Sequence, residues 1–158
     1  MAGLSMSMRV LGVAVLLQGG AYAGSFDAVP SSALSPQEVV RFQMEALRDN
    51  DADDNGIATT FRFASPANKQ VTGPLPRFIR MIKYSPYRVM LDTQLIEYGQ
   101  VQVVEDHAQL RVSVLTREYL AVSFRFYLSR QADGECRGCW MTDAVMVEDM
   151  RMLPGVES

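Results

Sequence analysis

The residues of this chain that could do chemistry are few, and one acid stands out among them. Asp143 interrupts a predicted strand on which Met141, Val145 and Val147 alternate as apolar residues. A carboxyl group that such a strand turns into an apolar pocket has a raised pKa and can act as a general base. The structural alternative is that Asp143 lies at a strand bend and caps backbone amides. The aromatic residues expected to line the same pocket are Tyr84, Tyr87, Tyr98 and Trp140.

The only two cysteines lie three residues apart and predict a disulfide. Cys136 and Cys139 follow Asp133-Gly134, a pair typical of a hairpin turn, and two such thiols can join in an oxidising compartment. A redox site of the thioredoxin type is an alternative, but it places its cysteines at a helix N-terminus, whereas these lead into a strand. Zinc held by the two thiols, His107 and a carboxylate is a further alternative.

A second segment resembles half of a calcium site. Asp51, Asp53 and Asn55 stand at positions one, three and five of a calcium loop, and Gly56 follows as the turn glycine. The twelfth position needs a bidentate glutamate, but it holds Arg62, which would repel the ion. We therefore interpret the segment as a polar turn between helices and predict no metal site and no cofactor.

The start of the chain predicts export. Arg9 precedes an apolar run at residues 10–17, and Ala21-Tyr22-Ala23 ends the segment as a signal peptidase site does. The run is too short to span a bilayer, although a membrane anchor is the alternative. We expect a signal peptide at residues 1–23 and a periplasmic or secreted protein, lumenal if the gene is plastid-related, with no membrane insertion after cleavage.

The composition of the chain limits the kinds of partner and of fold that we expect. The 158 residues carry a net charge of −3, so nucleic acid is not an expected partner, and 48% apolar residues indicate a globular chain. We expect a flexible linker at residues 24–34, a single domain at 35–150 and a C-terminal tail at 151–158.

The pattern of apolar residues predicts an α+β fold, with three N-terminal helices packed on an antiparallel sheet of about five strands. The helices are expected to start at Ser35-Pro36 with a capping box from Glu38, at Gly56 and at Pro76. The predicted strands are Tyr87–Leu91, Gln94–Val104, Ala108–Thr116, Tyr119–Arg130 and Trp140–Val147. The predicted core residues are Phe42, Leu47, Phe78, Ile82, Val112, Val114, Phe124 and Phe126.

Several segments resemble an uncharacterised family, the domain of unknown function 4864. They are SPQEVV (35–40), FRFASPANK (61–69), GP (73–74) and CWMTD (139–143). The order of elements is also similar to the nuclear-transport-factor-two-like (SnoaL-like, cystatin-like) fold. That resemblance implies a curved sheet that forms a cone with a pocket, and a possible homodimer through the outer sheet face, which carries Arg111, Ser113, Ser123, Arg125, Tyr119 and Tyr127.

Two functions follow as hypotheses. The first is a non-catalytic exported protein that holds a small apolar ligand in the cone or assists another envelope protein. The alternative is a small isomerase or lyase with Asp143 as the base. The fold itself implies no activity.

Overall fold

The computed structural model describes residues 25–154. The expected signal peptide, its cleavage site and the last four residues of the expected tail lie outside the described residues. Within the described part, no helix is both long enough and apolar enough to cross a bilayer.

The described chain forms four α-helices followed by five antiparallel strands, which confirms the α+β class. The helices are α1 (Pro36–Arg48), α2 (Asn55–Arg62), α3 (Pro66–Thr72) and α4 (Leu75–Tyr84), with short 3-10 helices at Ser25–Asp27 and Pro86–Asp92. The strands are β1 (Thr93–Tyr98), β2 (Gln102–Val104), β3 (His107–Thr116), β4 (Leu120–Arg130) and β5 (Trp140–Met152). The cone shape stays a prediction.

The start of α1 is as predicted. The Ser35 hydroxyl accepts from the backbone N–H of Glu38, and the Glu38 carboxylate accepts from the backbone N–H of Ser35. This capping box holds the pKa of Glu38 below its usual value, because the carboxylate accepts bonds from the Ser35 backbone and hydroxyl. Helix α2 then packs against α1 so closely that a Cβ at Gly56 would overlap the backbone carbonyl of Ala46.

The prediction of three helices is wrong, because two Ser-Pro pairs start helices that we had not expected. Ser65 caps α3 by accepting from the Asn68 N–H, and Ser85 accepts from the Tyr87 N–H at the start of the second 3-10 helix. Each proline occupies the first helical position, where it costs no hydrogen bond. The predicted strand Tyr87–Leu91 is therefore a 3-10 helix.

The sheet has the order β1-β3-β4-β5, and β2 also pairs with β3. The predicted strand Gln94–Val104 is thus two strands, β1 and β2, with a break that begins at Gly99. The backbone N–H of Gly99 still donates to the Arg111 carbonyl on β3. Strand β5 extends to Met152, beyond its predicted end at Val147.

Two bulges interrupt β5. Leu128 and Tyr127 on β4 pair with Thr142 and Ala144, which leaves Asp143 as an extra residue. A second bulge leaves Glu148 unpaired in the same way. Each bulge reverses the alternation of side chains along the strand. Met141 consequently lies on the opposite face from Val145, and the expectation that these residues share a face is wrong.

The core lies between the helices and the inner face of the sheet. Seven of the eight predicted core residues are buried, whereas Phe42 is only partly buried and stacks on Phe63 with the ring centroids 6.1 Å apart. On the outer face, Glu148 forms salt bridges with Arg111 and Arg125. The expected linker includes the 3-10 helix Ser25–Asp27, whose Phe26 carbonyl accepts from Arg62 on α2.

Candidate functional site: an apolar cavity between helices and sheet

A cavity of about 380 Å³ lies between the helices and the inner face of the sheet. Its residues come from all four α-helices, the second 3-10 helix, β4 and β5. Its apolar lining is Leu47, Ala64, Ala67, Val71, Phe78, Met81, Ile82, Met90, Phe126, Ala144 and Val145. Its polar lining is Gln43, Thr60, Asn68, Thr72, Tyr87, Thr142 and Asp143. The lining therefore contains one formal charge and no cation.

The polar groups deepest in the wall bond to one another. The Thr142 hydroxyl donates to Gln43 Oε1 at 2.7 Å, and Gln43 Nε2 donates to the Thr60 carbonyl at 3.2 Å. The Thr60 hydroxyl in turn lies 3.0 Å from the Gly56 carbonyl. Gln43 and Thr142 are each 2% exposed, so water does not reach these side chains and the bonds within the chain satisfy their polar atoms. The network fixes α1, α2 and β5 around the cavity.

Helix α3 forms one side of the cavity and is held to the rest of the chain mainly through polar side chains. None of its residues is buried, and Val71 is 70% exposed, so the cavity reaches the surface along this helix. Asn68 Nδ2 donates to the Thr142 carbonyl at 3.0 Å, and the Thr72 hydroxyl bonds to Asn68. The polar groups of α3 that face the cavity are therefore also satisfied within the chain.

Two lining residues, Tyr87 and Asp143, carry an acidic side chain, and each is hydrogen-bonded within the chain. The Tyr87 hydroxyl donates to the Val145 carbonyl at 2.8 Å. Asp143 is half-buried, and its Oδ1 accepts from the Ser129 hydroxyl at 3.0 Å. Ser129 lies on β4, next to the bulge that leaves Asp143 unpaired, so the Asp143 carboxyl is already hydrogen-bonded to the neighbouring strand. This geometry resembles the alternative in which Asp143 lies at a strand bend and accepts hydrogen bonds, except that the donor is the Ser129 hydroxyl and not a backbone amide.

Comparison with known proteins identifies the family. The sequence matches the family described as Domain of unknown function (DUF4864) over residues 31–152. The chain belongs to the DUF4864 family. No curated protein and no solved structure matches it, so the likeness to the nuclear-transport-factor-two-like fold stays a prediction.

The other aromatic residues predicted for the pocket of this DUF4864 protein do not line the cavity. Tyr84 is 84% exposed at the end of α4. Trp140 is buried beside Arg130, whose guanidinium carbon lies 4.9 Å from the ring centroid. Tyr98 packs under Arg41, and its hydroxyl is buried with no hydrogen-bond partner among the described residues. Burial raises the pKa of Tyr98 to about 12. Of the four, only Tyr87 contributes to the wall.

The cysteine prediction for the DUF4864 chain is confirmed. Cys136 and Cys139 form a disulfide with their Cα atoms 5.5 Å apart, immediately before β5. These sulfurs are therefore not thiolates that could bind zinc with His107. Within residues 25–154, no three His, Cys, Asp or Glu side chains are grouped to hold a metal ion.

The acidic turn that resembles a calcium loop is organised by other protein groups. Both carboxylate oxygens of Asp51 accept bonds from Asn55, and the Asp54 carboxylate forms a salt bridge with Lys83 on α4 at 2.8 Å. The bond from Lys83 holds the pKa of Asp54 below its usual value. This turn thus connects α2 to α4 through a protein cation.

Neither the hydrogen-bonded wall nor helix α3 was predicted from the sequence. A signal for the wall was present, because Gln43 falls between Val39 and Leu47 on the apolar stripe of α1. A polar side chain on such a stripe indicates a buried hydrogen bond. The partner Thr142 is 99 residues away along the chain and could not be identified from spacing.

Proposed function

We propose that this DUF4864 protein binds a small neutral apolar ligand in the cavity between α3, α4 and β5. The observation that carries the proposal is the composition of the wall. Its surface is mainly aliphatic and aromatic, and its polar groups bond to one another rather than pointing unpaired into the space. Cavities with this composition bind by burying apolar ligand surface.

The size of the cavity limits the ligand. An apolar cavity of about 150 Å³ is enough for benzene, whereas sites for drug-sized ligands begin near 300 Å³. The 380 Å³ observed here therefore suits a ligand larger than one aromatic ring, such as a short alkyl chain or a fused ring system.

The charge of the lining limits the ligand further. An anion would lose its hydration without gaining a cation, since the lining includes neither lysine nor arginine. Its one acid, Asp143, would oppose an anion and is already bonded to Ser129. A neutral ligand avoids both costs. The same bond leaves the isomerase alternative without a specific observation in its favour.

We also propose that the protein acts outside the cytoplasm, as the first residues predict. The disulfide between Cys136 and Cys139 supports this location, because disulfides persist in oxidising compartments and are rare in the cytosol.

Binding of the neutral fluorescent probe N-phenyl-1-naphthylamine tests the proposal. We expect saturable fluorescence enhancement that 1-decanol reverses more effectively than decanoate, which has the same chain but a negative charge. Equal competition by the two would contradict the neutral class, and absence of saturable binding would contradict the ligand proposal itself.

A matched pair of variants locates the binding. Ala67 is exposed on α3 and lines the cavity, whereas Gln70 is exposed on the same helix and does not. Ala67→Trp should fill the entrance and reduce probe affinity at least about tenfold, while Gln70→Trp should leave it unchanged. Equal effects of the two substitutions would place the probe elsewhere.

A further inference from the structure

The second half of β5 is an exposed strand at the edge of the sheet. Strand β5 is the last in the order β1-β3-β4-β5. Among residues 25–154, the only backbone pairing on its free edge is the bridge between Ala64 and Thr142 near its start. Residues 146–152 are all exposed, and within the described part of the chain no strand pairs with their free edge. Edges of this kind add strands from other chains unless something covers them.

This edge carries an unusual number of apolar side chains on one face. Val147, Met150 and Met152 pair with Phe124, Val122 and Leu120, so they lie on the core face of the sheet. Phe124 and Val122 are buried by the helices, whereas Val147, Met150 and Met152 are 38%, 46% and 65% exposed. The helices therefore leave an apolar strip uncovered beside the edge. Methionine is enriched in protein interfaces.

The opposite face of the edge carries two opposite charges. Asp149 and Arg151 pair with Ser123 and Ala121, which places both on the outer face, two residues apart. Their side chains are 47% and 70% exposed, and their own contact is long, at 3.9 Å. Both charges are thus available to a partner strand.

We propose that two copies of this protein pair antiparallel along β5, with the two-fold axis at Met150. In this register Met150 meets Met150 of the second copy, and each Asp149 faces an Arg151. With the Glu148 bulge taken into account, each Val147 faces a Met152. Every cross-strand pair then joins residues on the same face, opposite charges meet, and the apolar strips of the two copies lie against each other side by side. The sheets of two copies become one continuous sheet.

This register favours a second copy of the chain over the other occupants of the edge. A two-fold interface must be complementary to itself, and the sequence from Val147 to Met152 has that property around Met150. The outer sheet face, where we expected a dimer, has its Arg111 and Arg125 already paired with Glu148. The edge residues do not line the cavity, so this proposal is independent of ligand binding.

Charge reversal tests the pairing. By light scattering on a size-exclusion column, the native protein should be dimeric at tens of micromolar. Asp149→Arg and Arg151→Asp should each weaken association at least about tenfold, because each creates two like-charge pairs across the axis. The double variant with both changes should restore the dimer. A native monomer, or a dimer insensitive to the single reversals, would overturn the proposal.

A crosslink tests the register without depending on affinity. Opposed residues in antiparallel strands have Cα atoms about 4.5–5.5 Å apart, within the range of a disulfide. Met150→Cys should therefore form an intermolecular disulfide on oxidation. Met146→Cys is the matched control, since Met146 is exposed on the same strand but on the outer face and away from the axis. Efficient crosslinking through Met146→Cys but not Met150→Cys would refute the register.

Discussion

The bond between Thr142 and Gln43 gives the sharpest test of how the cavity wall is built. Thr142→Val keeps the shape of the side chain but removes the hydroxyl that donates to Gln43 Oε1. Both residues are 2% exposed, so water cannot replace the lost donor. A buried acceptor without a partner costs about 1–3 kcal/mol, and we expect about 2 kcal/mol of lost unfolding free energy.

Thermal and urea unfolding measure this loss. For a domain of this size, 2 kcal/mol corresponds to a fall in Tm of about 6–8 °C. The slope of the unfolding free energy against urea concentration should stay the same, because the surface exposed on unfolding hardly changes. Thr72→Val is the matched control. Its hydroxyl also bonds to a side-chain oxygen of the wall, but Thr72 is half-buried, so water can take its place and the loss should stay below about 1 kcal/mol.

A double-mutant cycle separates the bond from the general cost of each substitution. Gln43→Leu together with Thr142→Val removes both partners and leaves no unpaired side-chain group between them. The double variant should therefore be less destabilised than the sum of the single variants by at least about 0.5 kcal/mol. Strict additivity, or a Thr142→Val protein as stable as the native one, would refute this view of the wall.

Three further predictions concern other parts of the structure. Tyr98→Phe should leave the unfolding free energy at pH 7 unchanged or raised, because the buried hydroxyl has no hydrogen-bond partner within residues 25–154. It should also abolish the tyrosine ionisation near pH 12 in an ultraviolet titration. A marked loss of stability would contradict this prediction. Lys83→Met should lower the unfolding free energy by at most about 1 kcal/mol at pH 6. Because the pair lowers the folded pKa of Asp54, that difference should disappear as the pH falls through this pKa, and a difference that persists in acid would show another cause. Replacing Cys136 and Cys139 with serine should cost at most about 2–3 kcal/mol without preventing folding, and alkylation before reduction should find no free thiol in the native protein.

The sequence predicted those elements whose signals are local. The capping box at Ser35 and the alternation along β4 depend on neighbouring residues, and both were assigned correctly. The errors in the number and bounds of the helices come from sequence patterns that are compatible with two structures. Ser65-Pro66 and Ser85-Pro86 each end one helix and begin another, and a proline shows only that a break occurs.

The candidate site was harder to predict, because it depends on contacts between distant segments. The bulge at Asp143 moves one residue out of the alternation, and an acid in an apolar pattern indicates either such a bend or a carboxyl group turned into a pocket. A regular strand would turn Asp143 and Met141 to the same face as Val145. Tyr98 and Trp140 were expected in the pocket, but large aromatic residues also fill gaps outside a binding site.

The most direct test of ligand binding uses the methionine methyl groups as reporters. Met81 and Met90 line the cavity, whereas Met146 and Met152 lie on the exposed part of β5. In protein labelled with carbon-13 at the methionine methyls, titration with 1-decanol should shift the signals of Met81 and Met90 saturably and leave those of Met146 and Met152 in place. Shifts confined to Met146 and Met152 would show that apolar molecules bind the exposed edge and not the cavity, and would contradict the proposed function.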